Sequence, residues 1–340
     1  MAATHLDATS RGFADEDFAV GNFDDYPSNF CTLKNENLFP ISKFPMFRKK
    51  DTPATRNAYT LIQPALLLIS RIINQHWECF AIFVRRRSTG HPDTWPVDVE
   101  LELPKDEIVG CIKSAIPDID FDPDMQSDSS SFAETILCPK AKSDLIILDY
   151  NIIRLLKDST ANHTQKLAGL VFLAVLLGHE IAHLLEFRRI RAGQLRSDSE
   201  PFETPPGVTC REAGTAWQTR TFGGRIYPVC NVENSLLTIR GLCIKSSAWN
   251  FDMMKLNEDW MRQLFTEPFW TIVPPPTLRP PIDKYAQFAI IVDDLYDEQS
   301  GSPIKSKVRN NNVHCTGSPR KKLRPIIPVN TCGGKRVLMD

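Results

Sequence analysis

The sequence predicts an α+β fold in which short strands lead into one long buried helix. The run 167–177 is rich in alanine and leucine and contains no proline, as is typical of a buried helix. Two apolar segments before it, 135–138 and 144–148, have the composition of strands, and the second is expected to be buried on both faces. A second helix is predicted over 210–222, ended by the two glycines that follow it.

The first part of the chain is less regular. Residues 1–57 mix acidic residues with prolines and have no sustained period, which predicts a loosely ordered arm. This arm is expected to drape over the core through its aromatic residues, Phe23, Phe30 and Phe39. Residues 58–84 have the apolar spacing of one long packing helix, with Pro64 near its start.

Shorter elements complete the predicted domain. A strand is expected over 97–101, an exposed acidic loop over 118–131 and a short helix over 151–157. Beyond the second helix, 235–244 is a strand candidate and 249–269 holds further helix candidates with aromatic core residues.

The sequence thus divides into an arm (1–57), a domain (58–296) and a tail (297–340). The tail is polar and basic, and we expect it to be disordered in solvent. Its segment 319–324 is a candidate nuclear-localisation or phosphate-binding patch.

Composition and charge exclude several classes of protein. A formal net charge of −1 argues against nucleic-acid binding by the core. The nine cysteines are scattered, odd in number and form no Cys-x-x-Cys pair, as in an intracellular protein with reduced thiols. No signal peptide is visible, and no apolar stretch reaches the roughly 20 residues of a membrane span. We therefore expect a soluble protein of the cytoplasm or nucleus, without membrane insertion.

The pattern His179-Glu180-x-x-His183 stands at the end of the apolar run. Side chains four apart on a helix lie on the same face, so the two imidazoles are expected to point at one spot and form half of a zinc site. Glu180 lies beside that face, where it can accept a proton from water instead of binding the metal. The alternative is a pair of surface histidines on a helix, with Glu180 facing solvent.

A catalytic zinc takes three protein ligands, so a third must come from elsewhere in the chain. Arg189 stands where metzincins have their third histidine, and Glu186 better suits the orientation of an imidazole. Glu212, at the start of the second helix, is the preferred ligand because small residues after it favour close packing. Glu212 also fits a capping box with Thr209, and the rival acidic ligands are Asp198, Glu200 and Glu203.

With His179, Glu180, His183 and Glu212, the chain resembles the gluzincin-type zinc metallopeptidases. The segments 177–183, 212–214 and 222–224 also resemble those of uncharacterised zincin-like proteins from fungi, and the resemblance covers about 135–230. It implies a zincin-like fold, two histidines and a glutamate on Zn²⁺, and a peptide or protein substrate. In that family the HExxH glutamate activates water against a peptide carbonyl.

Two positions depart from the pattern of that family. Many gluzincins have an acidic residue four after the third ligand, where this chain has Ala216. A histidine or tyrosine usually stabilises the oxyanion, but no histidine occurs between 183 and 314. We assign that role to Tyr227; the alternatives are the nearby arginines, Arg211, Arg220 and Arg225.

The sequence therefore predicts a zinc metallopeptidase in which Glu180 accepts a proton from water and passes it to the leaving amine. Two alternatives stay open. The chain is either a zincin-like scaffold or binding protein with impaired turnover, or a hydrolase of small amides. Cys31, in the predicted arm, is a further candidate thiolate ligand, although an ordinary free cysteine is the simpler interpretation.

Overall fold

The computed structural model describes residues 30–49, 52–84, 104–123, 132–137, 144–192, 213–233, 236–245, 253–272, 278–281, 294–296 and 303–305. Within these residues the fold is mixed α+β, as predicted. The predicted strand 97–101, Phe23 and the basic patch 319–324 lie outside them.

A short 3-10 helix (Ile41–Lys43) precedes the α-helices, which are α1 (Pro45–Lys49), α2 (Pro53–Gln75), α3 (Glu78–Val84), α4 (Lys105–Ala115), α5 (Asn151–Lys157), α6 (His163–Arg191), α7 (Ala213–Phe222), α8 (Glu258–Gln263) and α9 (Glu267–Trp270). The strands are β1 (Asp118–Asp122), β2 (Ala133–Ile136), β3 (Leu145–Asp149), β4 (Arg225–Glu233), β5 (Leu236–Lys245), β6 (Met253–Lys255), β7 (Asp294–Tyr296) and β8 (Pro303–Lys305).

Helix α6 is the central element of the fold. It packs against α2, α3, α4, α5, α7 and α8 and against β2, β4 and β5. Its start is fixed by a capping box: Gln165 N–H donates to Asn162 Oδ1 at 3.0 Å, and Asn162 N–H donates to Gln165 Oε1 at 2.8 Å. At its other end, Arg188 and Arg191 each bond the buried Asp144 carboxylate at 3.2 Å. Both ends of the helix are thereby tied down.

The expectation that no apolar stretch is long enough to span a membrane does not hold for α6. By length and composition, this one helix among the described residues is apolar enough to cross a membrane. Nearly all of its apolar stretch is buried inside the fold, as in a core helix.

The predicted helix over 58–84 is two helices, α2 and α3, which are separated by His76 and Trp77. Helix α2 starts earlier than predicted because Thr52 and Thr55 form a capping box and Pro53 occupies the first helical position. Pro64 therefore lies inside the helix and not near its start.

The first sheet has the strand order β1-β3-β2, with β1 parallel and β2 antiparallel to β3. Strand β1 lies where an exposed loop was predicted. Its acidic residues alternate with the buried Ile119 and Phe121, which is the period of a strand with one buried face. Strand β3 was predicted to be buried on both faces, but its burial also largely alternates, with Ile146 and Leu148 buried.

The second sheet has the order β4-β5-β6, and all its pairs are antiparallel. Helix α7 precedes it and ends at Phe222, where Gly223 takes a φ of 80°. Glycine adopts this left-handed conformation more readily than other residues, so the predicted helix stop is confirmed. Strands β7 and β8 pair with each other. Residues 303–305, which belong to the tail predicted to be disordered, therefore form a strand.

Part of the predicted N-terminal arm belongs to the core. Residues 1–29 lie outside the described part, but Phe39, Phe44 and Phe47 are fully buried and Phe30 packs edge-on against Phe265. Cys31 is half-buried in this region, and burial raises the pKa of its thiol, which disfavours a thiolate ligand.

His76 lies at the end of α2, where its backbone N–H donates to Ile72 O at 2.7 Å. Its ring stands edge-on to Trp270, with centroids 6.0 Å apart. Burial of this ring lowers the pKa of His76 below its usual value, because the charged imidazolium loses solvation. The unfolded chain therefore takes up a proton at about pH 6.5, where the folded chain does not, and stability falls as the pH drops below that value.

We expect His76→Phe to reduce this acid-side loss, because phenylalanine keeps the ring but takes up no proton. The slope of unfolding free energy against pH should differ from wild type by at most about 1.4 kcal/mol per pH unit below about pH 6.5. Urea unfolding across this range measures both slopes. Equal slopes for the two proteins would contradict the buried neutral histidine.

Candidate metal centre

Helix α6 carries the three residues of the HExxH pattern. His179 and Glu180 are buried, with exposed fractions of 4% and 5%, and His183 is half-buried. The ring centroids of His179 and His183 are 5.0 Å apart, with ring planes at 61°. Two imidazoles on one tetrahedral zinc, with nitrogen–zinc distances of about 2.0 Å, have centroids about 5 Å apart. The spacing of the rings therefore fits a shared zinc ion.

His183 is the more accessible of the two histidines. Its ring stacks on Phe187, one turn further along the helix, with centroids 5.8 Å apart and planes at 24°. Both residues are partly exposed, so this edge of α6 is accessible to solvent.

Helix α7 packs directly against the His179 ring. A Cβ atom at Gly214 would lie 2.3 Å from His179 Cγ and Cδ2 and 2.4 Å from Nδ1, and one at Gly178 would lie 2.1 Å from Trp217 Cη2. Real Cβ atoms are essentially never found so close to their neighbours, so both positions require glycine at this separation of the helices. The predicted close packing is confirmed, and it covers one face of the His179 ring.

Gln218 lies one turn beyond Gly214 on α7 and connects the site to the second sheet. Its Nε2 lies 2.8 Å from His179 Nδ1, and its Oε1 accepts the Ile226 backbone N–H at 2.7 Å. Sequence reasoning missed this residue, because Ile226 belongs to β4 and no strand was predicted there.

The Glu180 carboxylate is held from β2. Thr135 Oγ1 donates to Glu180 Oε2 at 2.6 Å, and Glu180 Oε1 lies 4.0 Å from His179 Nε2. One carboxylate oxygen is thus fixed and the other faces the imidazole. Thr135 falls in a predicted strand, but nothing in its local sequence indicates this contact.

Tyr227 and Arg225, two of the candidates for the oxyanion role, contact each other on β4. The Tyr227 ring lies under the Arg225 guanidinium at 5.0 Å, and its carbonyl accepts from Cys243 Sγ at 3.6 Å. Burial raises the pKa of Cys243 to about 12, so this neighbour stays a neutral thiol. Arg220 lies on α7, and Arg211 lies outside the described residues. The oxyanion role of Tyr227 stays a prediction.

The third ligand also stays a prediction, because Glu212 immediately precedes the first described residue of α7. Thr209 and the rival ligands lie outside the described residues as well; these rivals are Asp198, Glu200 and Glu203. Among the residues that are described, no group of three or more His, Cys, Asp or Glu side chains could hold a metal ion.

Comparisons of this chain with known protein families, with curated proteins and with solved structures found no match.

Proposed function

We propose that the protein is a zinc-dependent hydrolase of peptide bonds with a zincin-like fold, in which His179, His183 and Glu212 hold the metal. The observation that carries this proposal is the pair of imidazoles 5.0 Å apart on one helix, with a buried carboxylate beside them. A buried glutamate next to two histidines costs free energy unless the site has a partner for them.

Glu212 is the preferred third ligand because of where α7 begins. Gly214 touches the His179 ring, and Glu212 stands two residues before it, at the same end of the helix. Two histidines and one glutamate leave a fourth position on zinc for water. When bound, zinc supplies a Lewis acid and lowers the pKa of a coordinated water to about 7.

Glu180 is the general base in this proposal. Its Oε2 is held by the Thr135 hydroxyl at 2.6 Å, so Oε1 is the oxygen that takes the proton and passes it to the leaving amine. The Thr135 contact keeps the carboxylate in one orientation during both transfers.

A peptide substrate is favoured by the position of β2. In the described part of the chain, β2 is one of the two edge strands of its sheet and lies beside the catalytic carboxylate through Thr135. Proteins that bind an extended peptide often add it to the edge of a sheet as a further strand.

Metal content tests the proposal. Purified wild-type protein is expected to contain about one zinc per chain by elemental analysis, and His183→Ala and Glu212→Ala are each expected to lose it. His163→Ala is a matched control, because His163 lies at the start of the same helix and pairs with Glu258 at 3.8 Å. This variant should retain the metal.

The outcomes separate the assignments. Zinc lost from His183→Ala but kept by Glu212→Ala would return Glu212 to a capping box and leave the third ligand among Asp198, Glu200 and Glu203. Wild-type protein that takes up no zinc, even after incubation with it, would contradict the proposed function.

A second candidate is a zincin-like scaffold without turnover. One observation favours it: Gln218 donates a hydrogen bond to His179 Nδ1, which is the opposite of the arrangement that supports a metal-bound histidine.

A further inference from the structure

The hydrogen bonds around Gln218 determine which end of its amide faces His179. A backbone N–H can only donate, so the atom that meets the Ile226 N–H at 2.7 Å must be the amide oxygen. The other atom, 2.8 Å from His179 Nδ1, is therefore the NH₂ group. Gln218, His179 and Ile226 are all buried, with exposed fractions of 3–4%.

This polarity fixes the tautomer of His179. A neutral imidazole carries one proton, and a nitrogen that accepts a hydrogen bond cannot hold it. Because Nδ1 accepts from Gln218, the proton is on Nε2, the nitrogen that faces Glu180 Oε1 at 4.0 Å.

The same nitrogen is the candidate ligand atom for a metal. Nδ1 of His179 is bonded to Gln218, which leaves Nε2 as the possible ligand atom. A metal needs the lone pair of Nε2, so the proton has to move to Nδ1, where it meets the NH₂ group of Gln218. If the amide rotates to offer its oxygen to Nδ1, its NH₂ group meets the Ile226 N–H instead. One of the two buried hydrogen bonds is lost in either orientation.

We propose that Gln218 is a positioning residue that holds His179 with its proton on Nε2 and thereby weakens metal binding at this site. The effect on metal binding, which is the metal half of this inference, rests on the proposed function. The position of the proton on His179, which is the tautomer half, does not. Zinc binding requires the Gln218 hydrogen bonds to be rearranged, so the amide sets the concentration of zinc at which the site fills.

Gln218→Glu is expected to move the proton of His179 from Nε2 to Nδ1. A carboxylate accepts from both sides, so it can bond the Ile226 N–H and a proton on Nδ1 at the same time. His179 then presents the lone pair of Nε2 to the metal. Changes to the group that orients a ligand histidine typically alter metal affinity by 10–100-fold, and we expect zinc to bind about 10–100-fold tighter to this variant.

The test uses the full chain, labelled with ¹⁵N and free of metal. Long-range ¹H–¹⁵N correlation spectra of the histidine rings distinguish the two tautomers, and His179→Gln assigns the signals. Wild type is expected to show the proton of His179 on Nε2, and Gln218→Glu on Nδ1. Competition with a chelator of known affinity then gives the zinc dissociation constant of each protein.

Thr219→Glu controls for charge alone. It adds the same charge one residue along α7, turned by about 100° around the helix axis. It is expected to leave both the tautomer and the zinc affinity as in wild type.

Each result decides the proposal. A proton on Nδ1 of His179 in the metal-free wild type would overturn the proposal, and this measurement does not depend on the folding of any variant. An unchanged tautomer in Gln218→Glu would also overturn it. A changed tautomer with unchanged zinc affinity, or equal tightening by Thr219→Glu, would overturn its metal half. Zinc bound by neither wild type nor Gln218→Glu would also overturn the metal half and would count against the proposed function, while the tautomer result would stand.

Discussion

Replacing Glu180 by glutamine is expected to lower peptide hydrolysis at least about 100-fold, because a positioned general base typically contributes a factor of 10²–10⁴. The amide cannot accept the proton of water, but it keeps the shape of the side chain and can still accept from the Thr135 hydroxyl. Zinc content is therefore expected to stay at the wild-type level. A peptide library read by mass spectrometry gives the activity, and elemental analysis gives the metal.

Glu258→Gln is the matched control for this substitution. Glu258 on α8 also accepts a hydrogen bond from a threonine hydroxyl, that of Thr164, but it pairs with Arg262 away from the candidate site. It should retain wild-type hydrolysis. Full activity in Glu180→Gln would contradict the proposed mechanism. A wild type that binds zinc but cleaves no peptide would favour the scaffold instead.

Those parts of the fold that depend on local patterns could be predicted from the sequence. The predicted helix 151–157 has the bounds of α5, and the predicted stop of the second helix is where α7 ends. The long helix α6 contains the predicted run 167–177 and the HExxH pattern, because an apolar run without proline is a local signal.

The missed elements have weaker local signals. Strand β1 lies in a segment predicted to be a loop, because its acidic residues mask the alternation of Ile119 and Phe121. These two side chains are buried in the fold in which β1 pairs with β3. Helix α2 begins earlier than predicted because a single threonine pair caps it.

The candidate site likewise has residues that could be predicted from the sequence and residues that could not. The spacing of His179, Glu180 and His183 follows from helical geometry, so a pattern in the sequence is enough to bring them together. Thr135 and Gln218 come from other elements, and each acts through one hydrogen bond to this helix. Such contacts depend on the packing of whole elements, which no short segment encodes.

Gly214→Ala is expected to disrupt both the fold and the candidate site. Its Cβ atom would lie 2.3 Å from the His179 ring, so the ring or the whole of α7 must move. Overpacking of a buried position typically destabilises by about 1–3 kcal/mol, and we expect at least this loss in the free energy of unfolding. Because the displaced ring also leaves its 5.0 Å spacing from the His183 ring, zinc binding should weaken in the same variant. Urea unfolding and elemental analysis measure the two effects.

Gly178→Ala and Gly110→Ala are the controls. They determine whether the destabilisation comes from the contact of the added methyl group or from the loss of glycine itself. At Gly178 the added methyl would meet the Trp217 ring at 2.1 Å, so a similar destabilisation is expected without a direct clash with His179. At Gly110, in α4, no atom lies within 4 Å of the added methyl, and alanine is expected to stabilise by about 0.5–1 kcal/mol. A Gly214→Ala protein as stable as wild type would mean that α7 does not pack against His179 at this distance. The hydrogen bond from Gln218 would then lose its structural support, and so would the proposal that Glu212 binds the metal.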